Sequence, residues 1–256
     1  MGNFNYSNIQ IIDKKEILEL YFNRPEKLNA INSEMLNEIL DFFENLGKEI
    51  RVKGVILRGK NGNFCAGGDL NEIYKFKKED ALNFHRNLNK IVKSIINSDK
   101  IFVAVYEGYA LGAGFEISLF CDIRIASKKS KIGYPGLRYN LIGAAGGSVM
   151  LPRIVGRSNA IYLILCSLIL DPERAKQIGI VQEVYDDNEL EKRIEEIEGL
   201  ISSFDSKVIK HLKESINSSF NLENIESLIE MEAERYAEIC EMKDTKKRIL
   251  KFLNKK

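Results

Sequence analysis

The stretch from Val103 to Ile125 constrains the fold most, because it places a strand, a turn of small residues and an apolar helix in direct succession. The β-branched and aromatic residues at 101–106 predict a buried strand. Gly112-Ala113-Gly114 then opens an apolar helix that is predicted to end near Cys121. Such a junction of strand and helix indicates a mixed α/β core.

Glu116 stands out in this stretch, because it is a carboxylate one turn inside a predicted apolar helix. The N–H groups of a first helical turn have no intrahelical partner, and the helix dipole adds partial positive charge there. Small residues at the turn let a ligand oxygen approach these donors. The stretch therefore predicts an oxyanion-binding backbone with an acid–base group nearby. Many junctions of this kind bind nothing, so the prediction needs support from a second stretch.

The rest of the chain alternates between strand-like and helix-like patterns. The predicted elements are a β-hairpin at 9–12 and 17–22, a helix capped by Ser33 and ending at Leu46, a strand at 55–59, a helix at 79–96, a strand at 122–126, helices at 157–170 and 172–178, and a strand at 179–184. The sequence after Glu189 is helical in period and heavily charged. This order predicts an α/β core over residues 1–190 and a helical C-terminal region over residues 191–256.

Composition excludes several classes of function. The 38 Lys and Arg residues balance 37 Asp and Glu residues among 256, so no basic field favours nucleic acid. The N-terminus lacks an apolar signal segment, and the longest apolar run, Ala160–Leu170, is too short to cross a membrane. His85 and His211 lie in charged stretches and are expected to be exposed, and the four cysteines have no metal-binding spacing. We therefore expect a cytoplasmic protein with free thiols, no metal, no membrane partner and no nucleic-acid partner.

Four stretches, taken in order, resemble the crotonase (enoyl-CoA hydratase/isomerase) superfamily. They are Asn23–Ala30 (NRPEKLNA), Phe64–Leu70 (FCAGGDL), Glu107–Ile117 (EGYALGAGFEI) and Cys121–Ala126 (CDIRIA), followed by further matches at 145–148, 151–156 and 175–181. The resemblance implies a crotonase-like spiral of ββα units with a C-terminal helical region that serves trimerisation. It also implies a homotrimer or dimer of trimers. The implied partner is an acyl-CoA thioester, in which coenzyme A is part of the substrate and no separate cofactor is needed.

The resemblance also assigns site residues. The backbone N–H groups of Ala66 and Ala113 would form an oxyanion hole for the thioester oxygen, and Glu116 matches the first of the two catalytic glutamates of the hydratases. Two donors of this kind stabilise an enolate, and the loss of one typically costs about 3 kcal/mol of barrier. The other residues expected to contact coenzyme A or substrate are Lys27, Gly67, Gly68, Asp69, Leu70 and Gly112. Tyr134, Gly136 and Tyr139 are expected in the pocket.

The chain departs from the family at the second catalytic glutamate, where it has Gly136. No Asp or Glu occurs between Ile123 and Leu170. A hydration mechanism with two carboxylates is therefore in doubt, and double-bond isomerisation with Glu116 as the single proton carrier is favoured. Decarboxylation or hydrolysis of an acyl-CoA, and a catalytically silent CoA-binding trimer, remain as alternatives. Asp122 is expected to satisfy backbone donors, Asp69 to shape its loop and Ser148 to be an early helix residue.

Overall fold

The computed structural model describes residues 6–219 and 225–254. The strands are β1 (Ile9–Lys14), β2 (Ile17–Phe22), β3 (Gly54–Gly59), β4 (Ile101–Tyr106), β5 (Tyr109–Leu111), β6 (Ile123–Ser127), β7 (Lys131–Gly133), β8 (Ile169–Leu170) and β9 (Glu183–Tyr185). The α-helices are α1 (Ser33–Leu46), α2 (Leu70–Ile73), α3 (Lys78–Asn97), α4 (Gly112–Ser118), α5 (Gly147–Val155), α6 (Arg157–Leu165), α7 (Pro172–Gln177), α8 (Asp187–Ser203), α9 (Ser206–Ser219), α10 (Ile225–Glu241) and α11 (Lys243–Leu253).

The larger sheet has the strand order β1-β2-β3-β4-β6-β9. The hairpin pair β1 and β2 is antiparallel, and every other neighbouring pair is parallel. A parallel strand inside a sheet that is covered on both faces is buried and mostly apolar, and β3 is buried at every position. One face packs on the main core, and the other is covered by α8, whose Ile194 and Ile197 contact the sheet.

The smaller sheet has the order β5-β7-β8 and leads directly to Glu116. Its first strand, β5, passes into α4 without an intervening loop, so the predicted junction of strand and helix contains an extra short strand. The helix ends at Ser118, earlier than the expected Cys121. The mixed α/β fold class is confirmed.

Other element boundaries also differ from the prediction, and the strand predicted at 179–184 spans only Glu183–Tyr185. The N-cap of α1 is Asn32, whose side chain accepts the N–H of Met35 at 2.9 Å, and Ser33 is the first helical residue. The helix predicted at 157–170 ends at Leu165, because Ser167 adopts a left-handed conformation with a φ of 50°. The chain then turns back, and β8 pairs with β7.

The C-terminal helices pack against the core that precedes them. Helix α10 lies along α3, and α11 contacts α2 and the 3-10 segment Pro135–Tyr139. The rings of Tyr139 and Phe252 meet edge to face at 5.2 Å. The division at residue 190 and a role of residues 191–256 in trimerisation stay predictions.

The structure corrects the expectation for one histidine. His85 is fully buried, because its face of α3 packs against α10 and its ring lies 5.5 Å from that of Tyr236. His211 is exposed, as expected.

The cysteines are free thiols; those at 65, 121 and 240 are buried and Cys166 is exposed. Within the described parts of the chain, no helix is both long and apolar enough to cross a bilayer. A cytoplasmic location stays a prediction.

Candidate active site

A largely apolar cavity of about 430 Å³ gathers the predicted site residues. All twelve line it: Lys27, Ala66, Gly67, Gly68, Asp69, Leu70, Gly112, Ala113, Glu116, Tyr134, Gly136 and Tyr139. Aromatic and aliphatic side chains from the C-terminal helices, namely Tyr236, Phe252 and Leu253, complete the wall. The fold therefore brings distant stretches of the sequence to one place, although the role of each residue stays a prediction.

The loop after Phe64 is held against the start of α4. The N–H of Cys65 donates to the carbonyl of Tyr109, and the N–H of Leu111 donates to the carbonyl of Cys65, both at 2.8 Å. Gly67, with a φ of 103°, approaches so closely that a Cβ there would lie 3.4 Å from the Cα of Gly112. The peptide groups of 66–67 and 112–113 therefore lie side by side at the cavity wall.

The two expected oxyanion donors differ in what they bind. The N–H of Ala113 belongs to the first turn of α4, where no intrahelical acceptor is available. The N–H of Ala66 donates to the carbonyl of Leu28 at 3.0 Å. Leu28 itself has left-handed backbone with a φ of 51°. A ligand oxygen at Ala66 must therefore share this donor with Leu28 or displace its carbonyl.

Glu116 is held by backbone donors from a distant loop. Its Oε2 accepts the N–H groups of Ala144, Ala145 and Gly147 at 2.9, 3.0 and 3.1 Å. A Cβ on Gly147 would lie 2.7 Å from this oxygen, so only glycine permits the approach. All three backbone donors therefore bind the same carboxylate oxygen.

Burial and hydrogen bonding act in opposite directions on this carboxyl. Burial raises the pKa of Glu116 from 4.5 to about 7, whereas the three N–H donors and Tyr134 limit the rise. The side chain is 3% exposed. A carboxyl with this pKa both accepts and donates protons near neutral pH.

The sequence analysis missed a second buried carboxylate beside this site. Glu232, on α10, is 3% exposed, and its Oε1 accepts the N–H of Ser148 at 3.2 Å and the hydroxyl of the same residue. Charges on Glu116 and Glu232 help to raise the pKa of Tyr134 well above its usual value, after the larger effect of burial. Little in the sequence indicates that Glu232 lies at the site, since it is one of many charges in the C-terminal region. The one indication is its spacing of four residues from Tyr236, which places both side chains on the same face of a helix.

The neighbouring polar residues follow their expected structural roles. Asp69 caps α2, accepting the N–H of Asn71 at 3.0 Å, and pairs with Arg24 at 3.1 Å. Asp122 accepts the N–H of Phe102 at 2.8 Å, and Ser148 lies in the first turn of α5.

At Gly136 a Cβ would lie 2.8 Å from the carbonyl oxygen of Leu141. Among the residues that the structure describes, no group of His, Cys, Asp or Glu is arranged to hold a metal ion.

Known proteins resemble the chain over nearly its whole length. Residues 13–256 match the family described as Enoyl-CoA hydratase/isomerase. A short-chain-enoyl-CoA hydratase of Clostridium acetobutylicum is 30% identical over 251 residues, which cover 98% of this chain and 96% of that protein. A crotonyl-CoA hydratase of Syntrophomonas wolfei is 29% identical over 252 residues, with the same two coverages.

Solved structures agree with these relatives. The enoyl-CoA hydratase from Thermoplasma volcanium is 34% identical with a TM-score of 0.80, covering 99% of this chain and 98% of its own. That from Bacillus halodurans is 25% identical with a TM-score of 0.89, covering 96% of this chain and 100% of its own. The chain belongs to the enoyl-CoA hydratase/isomerase family and is an enzyme of that family. The expected crotonase fold is thereby confirmed.

Proposed function

We propose that the protein moves the double bond of an enoyl-CoA thioester, with Glu116 as the proton carrier and the N–H groups of Ala66 and Ala113 as the oxyanion hole. The observation that carries this proposal is that the buried carboxyl of Glu116 has a pKa of about 7 and lines a largely apolar cavity. Coenzyme A enters as part of the substrate, and the proposal includes no further cofactor.

The chemistry proceeds through a dienolate. The Glu116 carboxylate removes a proton from the carbon next to the thioester carbonyl of a 3-enoyl-CoA, and the electron pair moves onto the thioester oxygen. The two N–H donors stabilise that negative charge. The protonated Glu116 then returns the proton to the far carbon of the dienolate, which leaves a conjugated 2-enoyl-CoA and the original carboxylate.

The contact between Ala66 and Leu28 adds a step to substrate binding. The thioester oxygen replaces the carbonyl of Leu28 as acceptor, or shares the N–H with it. Since the second donor, Ala113, lies at a helix start, it is available without rearrangement. A dienolate oxygen is a stronger acceptor than a ground-state carbonyl, so this exchange favours the transition state.

Hydration of a 2-enoyl-CoA is the second candidate, because the relatives named above are hydratases. It requires a water molecule held at the β-carbon in addition to a proton for the α-carbon. The position of the second hydratase glutamate is Gly136 here, so Glu116 would have to serve both steps. For this reason isomerisation is the leading proposal.

The deciding experiment incubates the protein with a panel of acyl-CoA esters in D2O and follows the products by mass spectrometry. Isomerisation gives deuterium exchange at the α and γ carbons with no addition of water. Addition of water would establish hydration, and free thiol or carbon dioxide would establish hydrolysis or decarboxylation. If no ester shows deuterium exchange, water addition, free thiol or carbon dioxide, the protein is a silent CoA-binding protein and the proposal is refuted.

A matched pair of variants tests the role of Glu116. Glu116→Gln removes the proton carrier but retains an oxygen for the three N–H donors, so turnover should be abolished while binding of the CoA ester persists. The control is Glu79→Gln, an exposed acid in the first turn of α3, which should leave turnover unchanged. Full activity of Glu116→Gln would refute the assignment.

Assembly as a homotrimer or dimer of trimers is part of the same proposal. It is supported by exposed apolar side chains: Val208 and Leu212 lie one turn apart on α9, Phe204 lies just before that helix, and each is more than half exposed. Analytical ultracentrifugation tests it, and a monomer at micromolar concentration would contradict it.

A further inference from the structure

The ring of Tyr134 forms the part of the cavity wall beside Glu116. Its hydroxyl oxygen lies 2.3 Å from the point that a Cβ on Gly143 would occupy, and Oε2 of Glu116 lies 3.0 Å from the same point. At the side of the ring, Cε1 of Tyr134 lies 3.6 Å from the point that a Cβ on Gly136 would occupy. The ring therefore extends from Gly136 to the neighbourhood of the Glu116 carboxyl, and all three residues line the cavity.

The chain fixes Tyr134 on both sides. It follows β7, whose last residue, Gly133, pairs with Ile169 of β8, and its N–H donates to the carbonyl of Leu168 at 3.4 Å. It precedes Pro135, which starts the 3-10 segment. The side chain is 2% exposed and its hydroxyl oxygen is buried. The ring therefore has a fixed place in the wall, with closely packed atoms behind it.

The wall around this ring offers little to a water molecule. Leu141 and Ala144, which also line the cavity, are buried and apolar. The Tyr134 hydroxyl is buried and interacts with Glu116, since it helps to limit the rise in the pKa of that carboxyl. An enclosed water molecule needs about two to four polar partners. A water molecule between Tyr134 and the acyl group therefore finds few partners on this wall.

We propose that Tyr134 determines which reaction the site catalyses, because its ring keeps water away from Glu116 and the acyl group. This inference rests on the proposed function, in which Glu116 returns its proton to carbon. Hydration forms a bond from the water oxygen to the β-carbon, breaks the double bond, gives one water proton to a base and places a proton on the α-carbon. Isomerisation needs no water, so a wall without a water position favours it.

Removal of the ring should admit water, because polar atoms surround the space that it leaves. Oε2 of Glu116 and Oε1 of Glu232 lie 3.0 and 2.4 Å from the Cβ point of Gly143, next to the Tyr134 hydroxyl. Tyr134→Ala opens this space to a water molecule, which can then add to the substrate. Tyr134→Phe removes the hydroxyl and keeps the ring, so water should stay excluded.

The matched control is Phe84→Ala, which removes a ring from another part of the same cavity wall. The ring of Phe84 lies 5.4 Å from that of Phe76, and its neighbour across Gly68 is the side chain of Ile73. A space lined by such apolar groups stays dry. Phe84→Ala should therefore leave the ratio of products unchanged, whatever its effect on KM.

The experiment gives each protein a 3-enoyl-CoA in water enriched in oxygen-18 and measures 2-enoyl-CoA and labelled 3-hydroxyacyl-CoA by mass spectrometry. The wild type and Tyr134→Phe should yield the isomer with little labelled product. In Tyr134→Ala the ratio of hydrated to isomerised product should rise about tenfold or more. An unchanged ratio in Tyr134→Ala, or an equal rise in Tyr134→Phe or Phe84→Ala, would overturn the proposal.

Two outcomes in the wild type separate the inference from its premise. If the wild type isomerises and hydrates at similar rates, the proposed function stands and the inference is overturned, even if Tyr134→Ala fails to fold. The second measurement is independent of turnover and uses fluorine-19 NMR of the protein containing 3-fluorotyrosine, with the Tyr134 signal assigned by its loss in Tyr134→Phe. A difference in its shift between H2O and D2O would show contact with water and overturn the proposal. If that signal shows no such difference and no ester isomerises, the proposed function fails while the exclusion of water by Tyr134 stands.

Discussion

Glu116 shows how a carboxyl acquires a proton affinity suited to neutral pH. Removal from water disfavours its charge, whereas three N–H groups on one oxygen favour it, and the first effect is the larger. The resulting pKa of about 7 leaves the acid and base forms in similar amounts under neutral conditions. That balance suits a group that must both take and return a proton.

The raised pKa makes Glu116 a source of instability at high pH. Between pH 4.5 and 7 the folded state binds more protons than the unfolded state, so the contribution of this group to stability falls as the pH rises through that window. Glu116→Gln removes the titration and keeps an acceptor for the three N–H groups. The free energy of unfolding of the variant minus that of the wild type should therefore increase by about 2 kcal/mol from pH 5 to pH 8. Urea denaturation at both values checks this, and an equal difference at the two pH values would contradict it.

Gly136 shows why the missing second glutamate cannot simply be restored. A Cβ at this position would lie 2.8 Å from the carbonyl oxygen of Leu141, and a backbone atom cannot move aside cheaply. Gly136→Ala should therefore lower the free energy of unfolding by about 1–3 kcal/mol.

The control for this substitution is Gly47→Ala, where a Cβ meets no atom within 4 Å and the backbone is right-handed. It should be neutral or slightly stabilising. Chemical denaturation of both variants checks the contrast. Equal stabilities of Gly136→Ala and the wild type would show that the loop of Leu141 yields, and that the steric argument is wrong.

At the scale of elements, the N-terminus of α5 organises the site, and Gly147 is its tightest point. A Cβ there would lie 2.5 Å from Cγ of Glu116, so Gly147→Ala must displace that side chain. A displacement of about 1 Å at a catalytic group typically costs about a hundredfold in rate, which we expect here in kcat.

Gly199→Ala is the matched control, since it lies inside α8 and meets no atom within 4 Å. It should leave kcat unchanged and stabilise the helix by about 0.5–1 kcal/mol. Steady-state kinetics with the ester identified in the D2O screen measures both variants. A Gly147→Ala variant with wild-type kcat would show that α5 does not fix Glu116.

The elements that the sequence predicted are those in which local pattern and burial agree. The hairpin, α1, α3 and β4 follow from periodicity alone, and the motif stretches around Ala66 and Glu116 lead to one cavity. Short strands such as β8 could not be predicted, because two residues carry no period and pairing with β7 is decided by tertiary contact. The burial of His85 and the place of Glu232 depend on how α10 lies on α3, which no local pattern specifies.

At the scale of the whole molecule, the last helix closes the cavity that the middle of the chain builds. Phe252 and Leu253, near the end of α11, line the same cavity as Glu116. Lys246, earlier in α11, donates to the carbonyls of Ile73, Tyr74 and Phe76 at the end of α2 and just beyond it. Ile73 ends α2 and its carbonyl also accepts the N–H of Phe76, whereas Tyr74 and Phe76 lie beyond the helix. A lysine ammonium suits carbonyls at the C-terminal end of a helix.

Lys246→Met should therefore loosen α11 and open the apolar end of the cavity while leaving Glu116 in place. Hydrogen bonds to a charged donor contribute about 1.5–3 kcal/mol, so KM for the acyl-CoA ester should rise roughly tenfold or more while kcat changes little. The control is Lys247→Met, which removes an equal charge from an exposed position of the same helix. Steady-state kinetics give the two constants, and hydrogen exchange of α11 should increase only in Lys246→Met. A parallel rise of KM in both variants would assign the effect to lost positive charge near coenzyme A, whereas unchanged constants in Lys246→Met would show that α11 closes the cavity without this anchor.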